Sequence, residues 1–308
     1  MTGVQTCALP ISFTVEVRFD AQLNQVGYRI ARSTLRVERR LSYDQADDLL
    51  AAGDPTLTAL HAIATHLQQL RAARGAITFR RPELKIRVKN NEISVKTIDS
   101  NSPSRFLVSE MMILANGLAA DFAAMNALPV IYRTQEPREA IAVEEKPLVE
   151  ALAFERMRKT FKRSRLSLTP GAHSGLGMSA YTQASSPIRR HADLVTQRQF
   201  TALLGGKTPP YGREELLHVL ASAESAEQEI RSIEDQSTNF WLLEYLKRNK
   251  TGQPLPATVI DAKGTAELDG YFLRGRIHSP GVIEPGQAVQ LMIDSVDPDK
   301  GDIRFKHA

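Results

Sequence analysis

The stretch from Phe106 to Met125 is the most apolar in the chain, and it is long enough for a helix to cross a lipid bilayer. Ser109, Glu110, Asn116, Gly117 and Asp121 interrupt it, and a lipid-facing helix does not tolerate that set together. The expectation is a helix over Ser104–Asn126 that is apolar on nearly every face, the mark of a helix buried in a sizeable core. The 308 residues suffice for two ordinary domains, or for a large one and a small one. With 42% hydrophobic and 24% charged residues, a disordered chain, a collagen-like fibre and a disulfide scaffold are all excluded. The single cysteine, Cys7, closes neither an internal disulfide nor a metal cluster. A net charge of +4 permits an anionic partner without demanding one. The N-terminus has neither the basic segment nor the apolar core of a secretory signal. The expectation is therefore a cytoplasmic monomer with no membrane partner.

The first ten residues show no periodicity. From Ile11 to Asp20, apolar Phe13, Val15, Val17 and Phe19 alternate with polar residues as in a half-buried strand, and a second strand is expected over Val26–Val37. Two strands are marginal alone. The hairpin therefore calls for sheet partners, and the chain reads as if it began inside a domain. Ser42 and Gln45 form a capping box before a helix over Tyr43–Ala52. Asp54-Pro55 opens another helix, which Gly75 stops. Strands are expected at Leu84–Val88 and Glu92–Ile98 around the turn Lys89-Asn90-Asn91. A helix opening in YTQASSPIRRHADLVTQRQF ends near Gly205-Gly206, and Gly212–Lys250 reads as one or two amphipathic helices. After a linker over Asn249–Pro256 come short strands at Ala257–Ile260, Tyr271–Ile277, Ala288–Ser295 and Asp302–Phe305, the pattern of a small barrel such as an OB-fold. The fold class is α+β.

Ser185-Ser186-Pro187-Ile188-Arg189-Arg190 is the segment richest in chemistry. Ser186 suits an N-cap and Pro187 a first helical residue, which would put Arg189 and Arg190 in the first turn. Cations there oppose the helix dipole and lose a few tenths of a kcal/mol. A bound anion reverses that sign, since amides, hydroxyls and guanidiniums would converge on one phosphate. Alternatively the arginines face solvent or pair with Asp193. Glu110, alone on an apolar helix, either pairs internally or faces a cleft, and Asn116 lies about 240° round that helix. The basic run Arg156–Arg165 reads as a solvated face or as a nucleic-acid stripe. In the barrel, Tyr271, Phe272, Arg274 and Arg276 either stack on bases and meet phosphates or belong to the barrel's own structure. No spacing gathers aspartates as a two-metal site does, and no P-loop, GxSxG or GxGxxG motif is present.

Three blocks in order carry a resemblance: SRFLVSEMMILANGLAA (Ser104–Ala120), VIYRTQEP, and HSGLGMSAYTQASSPIRRHADLVTQRQ (His173–Gln199). With a barrel after them, they resemble the catalytic RNB domain of ribonuclease II-type exoribonucleases. The resemblance covers residues 11–308. It implies the C-terminal part of an RNB domain over 11–250, a mixed sheet with long helices, and an S1-like OB-fold RNA-binding barrel over 251–308; residues 1–10 fall outside the family pattern. It further implies Mg²⁺-dependent hydrolysis of single-stranded RNA from the 3′ end to nucleoside 5′-monophosphates. By motif, Arg189 resembles the family's catalytic arginine beside the scissile phosphate. Tyr181, Ser185, Ser186 and Arg190 match its neighbours around the 3′ end, and Glu110 falls in a block that contacts ribose. Ser185 and His191 stand where the family usually has threonine and tyrosine. The family's metal-binding aspartates are expected upstream of this sequence, so Mg²⁺ ligands are not expected in it. The leading expectation is a fragment of such an enzyme; the alternative is a non-catalytic RNA-binding relative.

Overall fold

The computed structural model describes residues 11–77, 82–98, 101–138, 150–279 and 281–308. The first ten residues, Cys7 among them, lie outside these. In chain order the elements are β1 (Ile11–Phe19), β2 (Gln25–Thr34), α1 (Tyr43–Ala51), α2 (Pro55–Ala73), β3 (Glu83–Lys89), β4 (Glu92–Ile98), α3 (Pro103–Met125) and β5 (Tyr132–Thr134). There follow α4 (Glu150–Thr160), β6 (Arg165–Ser167), a 3-10 turn (Ser174–Leu176), α5 (His191–Leu204) and α6 (Arg213–Asn249). Last come β7 (Leu255–Val259), β8 (Thr265–Leu268), β9 (Leu273–Ile277), β10 (Ala288–Asp297) and β11 (Asp302–His307). They divide between two compact units, one drawn from Met1–Phe79, Asn101–Arg138 and Lys162–Ala226, the other from Arg80–Ser100, Glu139–Phe161 and Glu227–Ala308.

The first unit is organised by α3. Ser102 caps it and Pro103 opens it, as the sequence favours. Its small residues Ala119, Ala120 and Ala123 let Leu128, Val130, Tyr132 and the buried ring of Phe200 from α5 close against it. The β1–β2 hairpin finds no further strand among the described residues. Helix packing replaces the expected sheet partners: Phe13 lies 5.3 Å from the Phe200 ring. The capping box before α1 and the Asp54 cap of α2 both form. Although α3 is long and apolar enough to cross a membrane, it is a core helix of this unit, with Glu110 and Asn116 buried.

The second unit is built on a closed barrel in the order β10-β11-β9-β8-β7, with β10 pairing back to β7. Only β9 and β11 run parallel, the topology of an OB-fold. Val259, Leu268, Leu291 and Phe305 are fully buried inside it. Gly275 lets β9 approach β11, since a Cβ there would fall 2.5 Å from the Phe305 ring and 2.7 Å from the Ile303 carbonyl. The unit holds more than the 251–308 segment. Leu84, Ile86 and Val95 of the β3–β4 hairpin and Leu242, Leu243 and Leu246 of α6 pack on the barrel's core. The expected linker is a short turn, with Gly252 at φ 78° and Leu255 already buried in β7.

Candidate functional site

The segment Tyr181–Arg190 is held by two buried side chains. From α3, the Asn116 amide donates to the Tyr181 hydroxyl at 3.0 Å and to Ser185 Oγ at 3.3 Å, while its oxygen accepts from the Ala184 amide at 3.0 Å. From α5, the carboxylate of Asp193 accepts from the Ser186 amide at 2.8 Å and from Nε and Nη2 of Arg190, each at 2.8 Å. Gln197 adds a bond to the Ala184 carbonyl at 2.6 Å.

This corrects the expected start of the helix. Residues 187–189 form a separate turn closed onto the Ser186 carbonyl, and Arg190 is extended at φ −126° and ψ 115° as the N-cap of α5. Neither arginine is in the first helical turn. Asp193 is the cause: from the third helical position it draws back both the Arg190 guanidinium and the Ser186 amide. An acid there also suits the helix dipole. Arg190 is thereby taken, as the pairing alternative held. Arg189 is exposed and has no ion-pair partner among the described residues, and Ile188 beside it is fully exposed.

Tyr181 is buried, and burial raises its hydroxyl above the ordinary tyrosine value against the opposing Asn116 bond. His173 packs edge-on against it at 5.5 Å. Burial, with Arg133 nearby, lowers His173 to about 4, so it is neutral at physiological pH. Arg133 bonds Ser164 and Gln183.

Glu110 is not free to meet a ligand unaided. Both of its oxygens bind Arg71 of α2, itself buried, and Arg71 also donates to the Leu176 carbonyl at 2.9 Å. The pair lines a cavity of about 870 Å³ with Leu67, Leu114, Asp121 and Met178, and burial raises the Asp121 carboxyl. Sequence reasoning missed Arg71 and the role of Asn116. The signal for Asn116 was an amide on an apolar helix; Arg71 carried none.

On the barrel, Tyr271 is half-buried against Tyr245, with ring centroids 6.2 Å apart. Phe272 is held at φ 54°. Arg274 is committed to Glu267 at 2.9 Å and Glu155 at 2.7 Å, which removes it as a ready phosphate ligand. Arg276 and Arg304 are register neighbours beside His278 and Asp302 in a groove of about 710 Å³. The basic run is not one stripe: α4 ends at Thr160, Lys159 pairs with Glu155, Lys162 pairs with Glu136, and Arg165 starts β6.

Among the described residues no three His, Cys, Asp or Glu side chains gather as a metal ion requires. The carboxylates described here therefore do not fit the divalent ion that the resemblance implies.

The family model for the RNB domain matches residues 10–206. An uncharacterized ribonuclease of Synechocystis is 33% identical over 312 residues, covering 95% of this chain and 46% of the relative. The chloroplastic/mitochondrial ribonuclease II of Arabidopsis thaliana is 28% identical over 291 residues, covering 90% of this chain and 34% of the relative. The chain thus spans less than half the length of these two curated relatives. Among solved structures, RNase R of Mycoplasma genitalium in its apo form superposes with a TM-score of 0.79 at 17% identity, covering 99% of this chain and 59% of that one. Its complex with ribose-methylated single-stranded RNA gives 0.77 at 16% identity, covering 96% and 57%. At such identity the likeness speaks for the fold, an RNB-type domain with an OB-fold barrel. The family follows from the sequence match over most of its length: this chain belongs to the RNB-domain family.

Proposed function

We propose that this chain serves a 3′-to-5′ exoribonuclease acting on single-stranded RNA and releasing nucleoside 5′-monophosphates, and that its own residues hold the RNA end. The observation that carries the reading is the division of labour between adjacent arginines. Arg190 is bound by Asp193, so the loop is fixed, and Arg189 is left exposed on it as a cation with no carboxylate partner among the described residues. Hydrolysis to a 5′-monophosphate breaks the bond between phosphorus and the 3′ oxygen of the preceding ribose. Charge grows on the phosphoryl oxygens as that bond breaks, and a preplaced guanidinium stabilises it. In this reading Ser185 and Ser186 of the same fixed segment meet the terminal nucleotide, with the buried Tyr181 behind them. The barrel groove offers a further phosphate surface through Arg276, beside Arg304, whose exposed guanidinium holds Asp302 at 3.3 Å. Magnesium is the family's proposed ion, and no step is assigned to it on these residues.

The test compares linear oligo(A) with a circular oligo(A) of the same length. Tighter binding of the linear RNA is expected, and equal binding overturns the end-holding role. A second reading, RNA binding without hydrolysis, is favoured by the scattered carboxylates. Release of 5′-monophosphates from a labelled oligomer by this chain, suppressed by EDTA, overturns the second reading. Binding without release is expected of this chain on both readings, since its described carboxylates gather no metal.

A further inference from the structure

The β3–β4 hairpin is a two-faced ribbon. Leu84, Ile86, Ile93 and Val95 are half-buried on one face, and three of them pack on the barrel's core. By register the other face sets Glu83, Lys85, Arg87 and Lys89 opposite Ile98, Lys96, Ser94 and Glu92. Lys85 lies directly across from Lys96, with Arg87 next along the strand, and all three are exposed. Like charges directly opposite on a ribbon repel each other. The acids of this face stand at its two ends, Glu83 across from Ile98 and Glu92 across from Lys89. Among the described residues no carboxylate forms an ion pair with Lys85, Arg87 or Lys96.

The ribbon is also held in place. Asn90 and Asn91, at φ 51° and 62°, make the tight connection that suits a twisted hairpin. Arg248 of α6 donates to the Asn91 carbonyl at 2.9 Å. The apolar face packs against the core cluster that α6 and the barrel share, so the three cations cannot spread apart by moving the backbone. Cations kept together against their own repulsion form a surface poised for a polyanion. Lys85 and Arg87, two residues apart on one strand, rise about 6.8 Å along it, on the scale of successive phosphates in an extended single strand.

We propose that Lys85, Arg87 and Lys96 form a sequence-independent contact for the phosphate backbone of single-stranded RNA. Its residues are other than those of the Arg189 loop and of the barrel groove. The proposal rests on the RNA-binding reading above, and RNA is preferred to an acidic protein because one ligand then serves both surfaces.

The experiment measures fluorescence anisotropy of labelled oligo(A) with the full chain across a salt series, for the wild type, K85Q/K96Q, Lys85→Glu and Arg189→Ala. K85Q/K96Q is expected to lower the log–log salt slope by about 1.4, two phosphate contacts at about 0.7 each on a single strand. Its thermal midpoint is expected to stay equal or rise, because the cross-strand repulsion is gone. Lys85→Glu, facing Lys96, is expected to raise the midpoint while weakening RNA binding to a similar extent, since both variants lower the charge of the face by two. Unchanged affinity and slope in K85Q/K96Q, with Arg189→Ala still weakening binding, overturns the ribbon contact and leaves the Arg189 reading standing. The reverse pattern supports the ribbon and overturns the Arg189 reading, and absence of RNA binding by the wild type overturns both. Displacement of the RNA by poly-glutamate at equal charge assigns the surface to acidic proteins and overturns the proposal.

Discussion

The guanidinium of Arg190 and the carboxylate of Asp193 are joined by two hydrogen bonds of 2.8 Å, and that pair determines which of two adjacent arginines is left for a ligand. Asp193 is fully buried and also holds the Ser186 amide. The carboxylate thus fixes the loop and spends one cation doing so, while Arg189 keeps its charge outward.

Asp193→Asn should therefore act as a folding mutation. Losing one partner of a buried charged pair costs about 3 kcal/mol, and the Ser186 amide loses its charged acceptor as well. Urea unfolding checks this. A midpoint within error of the wild type would show that the pair does not hold the loop.

The Arg71–Glu110 pair makes a parallel prediction in the core. Arg71→Ala leaves a buried carboxylate without its partner and should destabilise by about 3–5 kcal/mol. The double change Arg71→Met with Glu110→Leu should recover much of that loss, because it removes both charges at once. A double mutant as unstable as Arg71→Ala contradicts the assignment of Glu110 as a paired core acid.

The pH dependence follows from His173. Burial lowers it from 6.5 to about 4, so the unfolded chain takes up this proton at a higher pH than the folded one. Its contribution is intact above 6.5 and is lost as pH falls from there toward 4. His173→Phe should flatten the stability profile in that window, read by denaturant unfolding at successive pH values. A profile unchanged by the substitution contradicts the assignment.

Much of the fold was legible in the sequence because local rules and tertiary packing agree there. The capping box at Ser42, the Asp54-Pro55 start and the Asn90-Asn91 turn each stand where spacing puts them. The strand Thr265–Leu268 was missed because Glu267 is atypical of strands. It is buried there with Arg274, a partner that the sequence does not announce. The helix start at Ser186-Pro187 failed for a related reason. Capping preference favoured Ser186, but Asp193 recruits the Ser186 amide and Arg190 together, and the chain extends at Arg190. The site was legible in its motif residues and illegible in its supports. Asn116 and Asp193 act through distances between elements, and Arg71 meets Glu110 across 39 positions of sequence.

Arg189→Ala tests the central claim most directly. Anisotropy titration of labelled oligo(A) across a salt series, on the wild type and this variant, reads the contact. The account predicts weaker binding and a log–log salt slope lower by about 0.7, the share of one phosphate contact on a single strand. The unfolding free energy should stay within about 0.5 kcal/mol of the wild type, as for an exposed side chain with no ion-pair partner among the described residues. Binding with unchanged affinity and slope would contradict the account, since the exposed arginine would then have no part in holding RNA.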